Sequence, residues 1–263
     1  MRYLLLLVFQ VTLVFGHGEL DGQIAKISSQ IAASPNDPKL WLTRADLHHS
    51  HRDPKAALAD LRQAARIKPH HPPAFLKLAQ FERKFGRPSL ATKALETYFG
   101  LQTNPDPQAH REKALLSAPN DAIEPWRLYL KSSVPAAMHD YALAAQTALD
   151  AKDLETTREF LKAGLNHFPK SIQLHHLRTH VLLAGLDLKS AKNTFQTLKL
   201  LHPNLLVKLN YEESLIWAHY DHPGLSRQAL VSALKAYQQL PIRLQENRDL
   251  KELALKIKTT LRK

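Results

Sequence analysis

The sequence predicts an all-α chain, an α-solenoid of stacked helix-turn-helix repeats with a capping helix at each end. Three observations predict it. Helical segments with recognisable starts and stops return at a fixed period of about 34 residues. Alternating apolar–polar runs and Asn-Gly turns are missing, which argues against strands. Proline is frequent, 16 of 263 residues, and recurs where one helix must end or the next begin.

Residues 1–18 read as an address. Met1-Arg2 is a short basic start, and Tyr3 to Phe15 is apolar apart from Gln10 and Thr12. Gly16, His17 and Gly18 offer small-residue cleavage sites after Gly16 or after Gly18. The stretch is shorter than the roughly 20 residues that span a bilayer. The expectation is a signal peptide and an exported protein, periplasmic or secreted, with no transmembrane segment in the mature chain.

After it, residues 19–33 carry Ile24, Ile27 and Ile31 at helical spacing, an N-terminal capping helix in a segment 19–37. The first repeat starts at Pro38. One helix is expected from Pro38 to Ser50 and a second from Pro54 to Ile67. Asp53 caps the second, and Pro54 suits its first turn. Pro69 stops it. Trp41, Ala45, Ala57, Leu61, Ala64 and Pro69 set an order of aromatic, small, small, large, small and proline. Small residues are required where the two helices of a hairpin approach closely. Phe75, Leu78, Ala79, Gly86, Ala91 and Leu95 repeat that order, with Gly86 in the turn.

This order resembles the tetratricopeptide repeat. Arg44 and His48 depart from it, standing where that family usually has leucine and tyrosine. The resemblance divides the chain into repeats one and two over 38–105 and a degenerate repeat over 106–137. Repeats four to six cover 138–241, and a basic capping helix covers 242–263. In the degenerate repeat Pro107, Pro119, Pro125 and Pro135 are expected to break the chain into short helices. Tyr141, Ala145, Leu161, Gly164 and Pro169 mark repeat four. Ala191, Phe195, Leu198 and Pro203 mark repeat five. Trp217, Ala229, Ala233, Ala236 and Pro241 mark repeat six, whose first helix is offset. Leu244, Leu250, Leu253, Leu255, Ile257 and Leu261 lie among charges in one final helix over 242–262.

Composition excludes several chemistries. There is no cysteine, so disulfides, zinc ribbons, iron–sulfur clusters and thiol catalysis are out. Glycine numbers only 8, too few for phosphate-cradling loops. His51-Arg52-Asp53 looks like a kinase catalytic loop, but Leu58 stands where the metal-binding asparagine is needed. In the repeat reading it is an inter-helix turn. Acidic pairs such as Glu212-Glu213 and Asp153-Glu155 read as helix starts. No hydrolase constellation stands out, so no catalytic residue, no cofactor and no enzymatic activity are expected.

The 15 histidines fall into groups, His48/His49/His51, His70/His71 and His175/His176/His180. His176 and His180 share a helix face, and imidazole pairs can bind zinc or copper. No full ligand set is legible, so no metal site is assigned. The formal charge is +12, with Lys and Arg concentrated in 77–93 and 243–263. Export argues against nucleic acid as the partner of such patches. A basic final helix could instead meet anionic wall polymers or membrane surfaces.

What the resemblance implies is a groove lined by the first helix of each repeat. Carried onto this sequence, the groove residues are Lys39, Leu42, Asp46, His49, Leu76, Gln80, Arg83, Lys84, Gln146, His176 and His180. They suit another protein or an extended peptide, with an acidic one favoured by the excess of cations. Leu42 and Asp46 stand where a chaperone-tail clamp would need lysine and asparagine, so that ligand is not expected. The function expected is an exported protein-binding scaffold or adaptor. The alternatives are a histidine-based metal binder and a binder of anionic surfaces through the last helix. Oligomeric state is not legible.

Overall fold

A computed structural model describes residues 19–185 and 187–262. The expected signal peptide, residues 1–18, lies outside the described residues. Within them the chain is helical from end to end, with no strand. Helix α1 covers 19–33. It is followed by α2 (Pro38–Ser50), α3 (Pro54–Ile67), α4 (Pro72–Lys84), α5 (Pro88–Gly100), α6 (Pro107–Leu116) and α7 (Pro119–Leu130). Then come α8 (Met138–Asp150), α9 (Leu154–His167), α10 (Ile172–Ala184), α11 (Leu188–Leu201), α12 (Leu206–His219), α13 (Pro223–Gln238), α14 (Ile242–Gln245) and α15 (Arg248–Arg262). Each of the pairs α2/α3, α4/α5, α6/α7, α8/α9, α10/α11 and α12/α13 packs as a hairpin. The architecture is therefore the all-α, α-solenoid type expected from the sequence. The chain divides into two compact units, one ending at Val134 and the other beginning at Pro135.

The hairpins recur because their turns do. In five of them the same backbone bond closes the first helix: Asp53 N–H to His48 O, Arg87 to Glu82, Asp153 to Ala148, Asp187 to Leu182 and His222 to Trp217, all 2.8–2.9 Å. This is the Schellman closure, which needs one residue in left-handed conformation. Gly86 supplies it at φ +69°, while Arg52, Lys152 and Asp221 adopt it at +62°, +62° and +57°. Three of the second helices, α3, α9 and α11, start on side-chain caps. Asp53, Asp153 and Asp187 accept from the amides of Ala56, Thr156 and Ser190 at 3.0, 2.9 and 3.0 Å. Asp53→Ala should cost about 1 kcal/mol, and a shift of the urea midpoint measures it. No change would mean that the cap is redundant.

The small residues sit where the resemblance puts them. Ala45, Ala57, Ala64, Ala79, Ala91, Ala145 and Ala191 are fully buried, and Leu61, Leu95, Leu161 and Phe195 fill the space beside them. The two departures from the repeat pattern find a common reason. Arg44 donates to both oxygens of buried Asp60 at 2.8 Å, and His48 approaches the same carboxylate at 3.8 Å. Arg44 also reaches the Ser28 hydroxyl at 3.0 Å, which ties α1 to the first hairpin.

Two expectations are corrected. Pro125 does not break the chain but lies inside α7, buried beside Trp126. An interior proline forfeits one helical bond and crowds the carbonyl four residues back, but its ring is apolar, and burying Pro125 with Trp126 and Tyr129 offsets that cost. The final segment is also not one helix. It splits at residues 246–247, where Asn247 accepts from the amides of Asp249 and Leu250 at 3.1 and 3.2 Å and starts α15 anew. Leu253, Ile257 and Leu261 of α15 pack on Leu230, Ala233 and Leu234 of α13. Its apolar face is thereby used as a cap, and truncation after Pro241 would uncover Leu230 and Ala233.

Candidate protein-binding cleft

In the second unit, first helices α8, α10 and α12 wall a cleft of about 620 Å³, lined by Leu143, Gln146, Gln173, His176, Leu177, His180, Lys208 and Glu212 among others. That volume lies within the usual range for ligand-binding clefts. Gln146, His176 and His180, expected from three separate helical positions, come together here.

The polar groups have definite roles. Gln146 donates its amide to Asp150 at 2.8 Å and lines the opening. The Tyr220 hydroxyl donates to the His180 backbone carbonyl at 3.2 Å, and its oxygen lies 3.3 Å from His180 Nδ1. With that hydroxyl proton committed, Nδ1–H is the donor of this pair and Nε2 is left as an acceptor. His176 Nε2 is buried, lacks a hydrogen-bond partner and sits 3.6 Å from Glu212 Oε2. Glu212 also faces Lys208 at 3.8 Å.

Burial sets the charges. It pushes the pKa of His176 and of His180 down, helped for His176 by His175 and Lys208 and for His180 by His219 and His176. His175, just behind them, is likewise lowered by burial, against the bond from its ring to Pro169 O at 2.9 Å. Burial raises the pKa of Glu212, partly countered by Lys208. The cleft thus combines the rings of His176 and His180 and the amide of Gln146 with the Lys208–Glu212 pair over an apolar floor.

A pH dependence of stability follows. Above the ordinary histidine value of about 6.5 both folded and unfolded chains hold these imidazoles neutral. Below it the unfolded chain takes up protons first, so stability falls with pH through the window between the unfolded and depressed folded values. Glu212, raised, works in the opposite direction but at lower pH. Urea midpoints should therefore drop from about pH 7.5 to about pH 5.5, across the histidine window. A flat profile would contradict the burial of these three rings.

The other expected residues scatter in the first unit. Leu42 is buried in the core with Ala45 and Leu61 and is unavailable to a ligand, because a leucine facing α3 gains more by packing. Asp46 pairs with Lys77. Arg83 is held by buried Glu112 at 2.6 Å. His49 lies edge-on to Phe81 at 4.9 Å, and the Lys84 ammonium sits 5.8 Å from the same ring. Leu76 packs partly buried near Tyr98, Gln80 is half-buried and Lys39 is exposed.

Glu212 and Lys208 were missed, and the reading of Glu212-Glu213 as a helix start is corrected: both lie in mid-helix in α12. A 3-10 turn at Pro203–Leu205 displaces the register of this repeat. The signal was the spacing of Asn210, Glu213, Ser214 and Trp217, which marks the buried face and leaves 208 and 212 on the other. Glu213 itself pairs with Lys199 and accepts from Trp217 Nε1 at 3.1 Å. Asp153 and Glu155 do start α9. The first histidine group is dispersed onto separate partners: His48 on Asp60, His49 on Phe81 and His51 on Asp21. Among the described residues no three His, Asp or Glu side chains converge to hold a metal. No described helix is long and apolar enough to cross a membrane.

No family model and no curated protein matches the sequence. Solved structures do match the fold. The C-terminal part of a TPR repeat-containing protein from Cytophaga hutchinsonii superposes with a TM-score of 0.62 at 13% identity, covering 92% of this chain and 97% of that one. PilW, a type IV pilus biogenesis factor, gives 0.57 at 12% identity over 82% of this chain and 97% of its own. MamA from Desulfovibrio magneticus RS-1 gives 0.56 at 19% identity over 64% and 96%. Identities this low speak for fold alone, and the fold is that of the tetratricopeptide-repeat solenoids.

Proposed function

We propose that the chain is an exported, non-catalytic scaffold that holds an extended segment of a partner protein in the cleft between α8, α10 and α12. The observation that carries this reading is the convergence of Gln146, His176 and His180 on one opening. An extended peptide presents alternating amide donors and acceptors, and neutral imidazoles with a primary amide match either kind. Leu143 and Leu177 supply an apolar floor for its side chains. Export is supported by the basic start and apolar run of residues 1–15. Sharing its fold with a pilus biogenesis factor is compatible with an assembly role in a cell envelope.

The test is a cross-linked pull-down of tagged protein from envelope extract at low and high salt, identified by mass spectrometry. Wild type should enrich one protein at both salts. His176→Ala/His180→Ala should reduce recovery about tenfold, since two lost hydrogen bonds are worth roughly 1–3 kcal/mol. Equal recovery by wild type and the double variant would remove the cleft from the function.

A further inference from the structure

Of the cations expected in the groove, Arg83 is spent on Glu112, while Lys39 is exposed and Lys84 lies over the Phe81 ring. Lys77 is held by Asp46, and Lys208 faces Glu212. Unpaired positive charge gathers elsewhere in the second unit. Between α9 and α10 lies a second cleft, of about 420 Å³, with Arg158, Lys162 and Arg178 around a floor that includes Leu161, Val181 and Leu182. It opens on the side of α10 opposite to His176 and His180, since residues 178 and 182 are about half a turn from 176 and 180.

Among the described residues no carboxylate lines this cleft. Asp187 is the acid whose charge Arg158 feels, and it is committed to capping α11 through the Ser190 amide at 3.0 Å. Arg158 is positioned rather than adrift. A Cβ at Gly185 would meet its Nη2 at 3.2 Å and the carbonyl oxygens of Val181 and Leu182 at 3.5 and 3.6 Å. The guanidinium therefore stands at the C-terminal end of α10, where the helix dipole favours a cation.

We propose that the α9/α10 cleft docks an acidic amphipathic helix of a partner protein, with its carboxylates on Arg158, Lys162 and Arg178 and its leucine-sized side chains on the apolar floor. Charge complementarity selects this occupant, because three cations without a carboxylate repel basic segments and leave neutral ones unrewarded. The proposal rests on the scaffold reading only in taking a protein as partner. It uses a different surface, so the two fail separately.

The probe is a fluorescein-labelled model helix with glutamate and leucine along one face, titrated against the full chain by anisotropy. A second helix carries glutamine for glutamate. The acidic helix should bind and the glutamine helix should not. Binding should weaken roughly tenfold when salt rises to several times the physiological level, as exposed charges become screened. Arg158→Glu/Arg178→Glu should abolish it, and His176→Ala/His180→Ala should leave it unchanged. All three cations are exposed, and circular dichroism checks that the fold survives. If reversal perturbs it, Arg158→Gln/Arg178→Gln replaces it with a severalfold loss expected. Absence of binding, equal binding of the glutamine helix, or loss only in the histidine variant overturns the proposal. So does binding confined to phosphatidylglycerol vesicles, which would make the surface a lipid site.

Discussion

Removing the two arginines around Glu82 is expected to cost more stability than removing the charge of Glu82 itself. The Glu82 side chain is only 3% exposed, whereas those of Arg62 and Arg87 are 42% and 45% exposed. Arg62 donates to Oε1 at 2.6 and 3.2 Å, and Arg87 to Oε2 at 3.3 Å. In Arg62→Ala/Arg87→Ala a carboxylate stays buried without a counter-charge, at a cost of about 3–5 kcal/mol. In Glu82→Gln the shape is kept and the two arginines turn to water, at about 1–2 kcal/mol. Urea denaturation of the three proteins tests this order. An equal or reversed order would mean that water reaches Glu82 once the arginines are gone.

Gly164→Leu should destabilise the second unit by about 3 kcal/mol or more, at or above the upper end of overpacking costs. A Cβ at Gly164 would stand 2.8 Å from Tyr141 Cβ and 3.0 Å from Leu174 Cδ1. Neither neighbour can retreat. Leu174 is fully buried, and Tyr141 is stacked on His167 at 5.6 Å and packed on Phe168 at 6.1 Å. Gly164→Ala should lose about 1–2 kcal/mol, since the overpacking is partly offset by better helix propensity. Gly224→Ala is the control. Its Cβ meets nothing within 4 Å, so the change should be neutral or slightly stabilising. Ordinary stability in Gly164→Leu would show that α8 and α9 can part without loss. Because Glu82 and Gly164 lie in different units, a two-step unfolding curve would shift in a different step for each variant.

Most of the fold was legible because its rules are local. Asp53 beside Pro54 starts a helix, Gly86 turns one hairpin, and an alanine one turn from a leucine places the buried stripe. Each of these acts within a few residues of itself. The expectations that failed depended on distant partners. Pro125 is tolerated because of what α7 buries, and α15 begins afresh at Asn247 to lay Ile257 on α13. Glu213 is buried in mid-helix because Lys199, from the preceding helix α11, pairs with it.

The candidate cleft was half legible. Gln146, His176 and His180 follow from repeat phase, because equivalent positions of successive first helices face the same way. Glu212 did not, because a three-residue turn before α12 moved the phase. The chain's own sequence determined the helices, their hairpin turns and the small residues at close approaches, all of which are encoded within one repeat. Only the tertiary structure decided which charges are spent. Arg83 meets Glu112 and Lys77 meets Asp46 across separations of 29 and 31 residues. Whether such side chains reach each other depends on how one hairpin stacks on the next, which no spacing within a single repeat records.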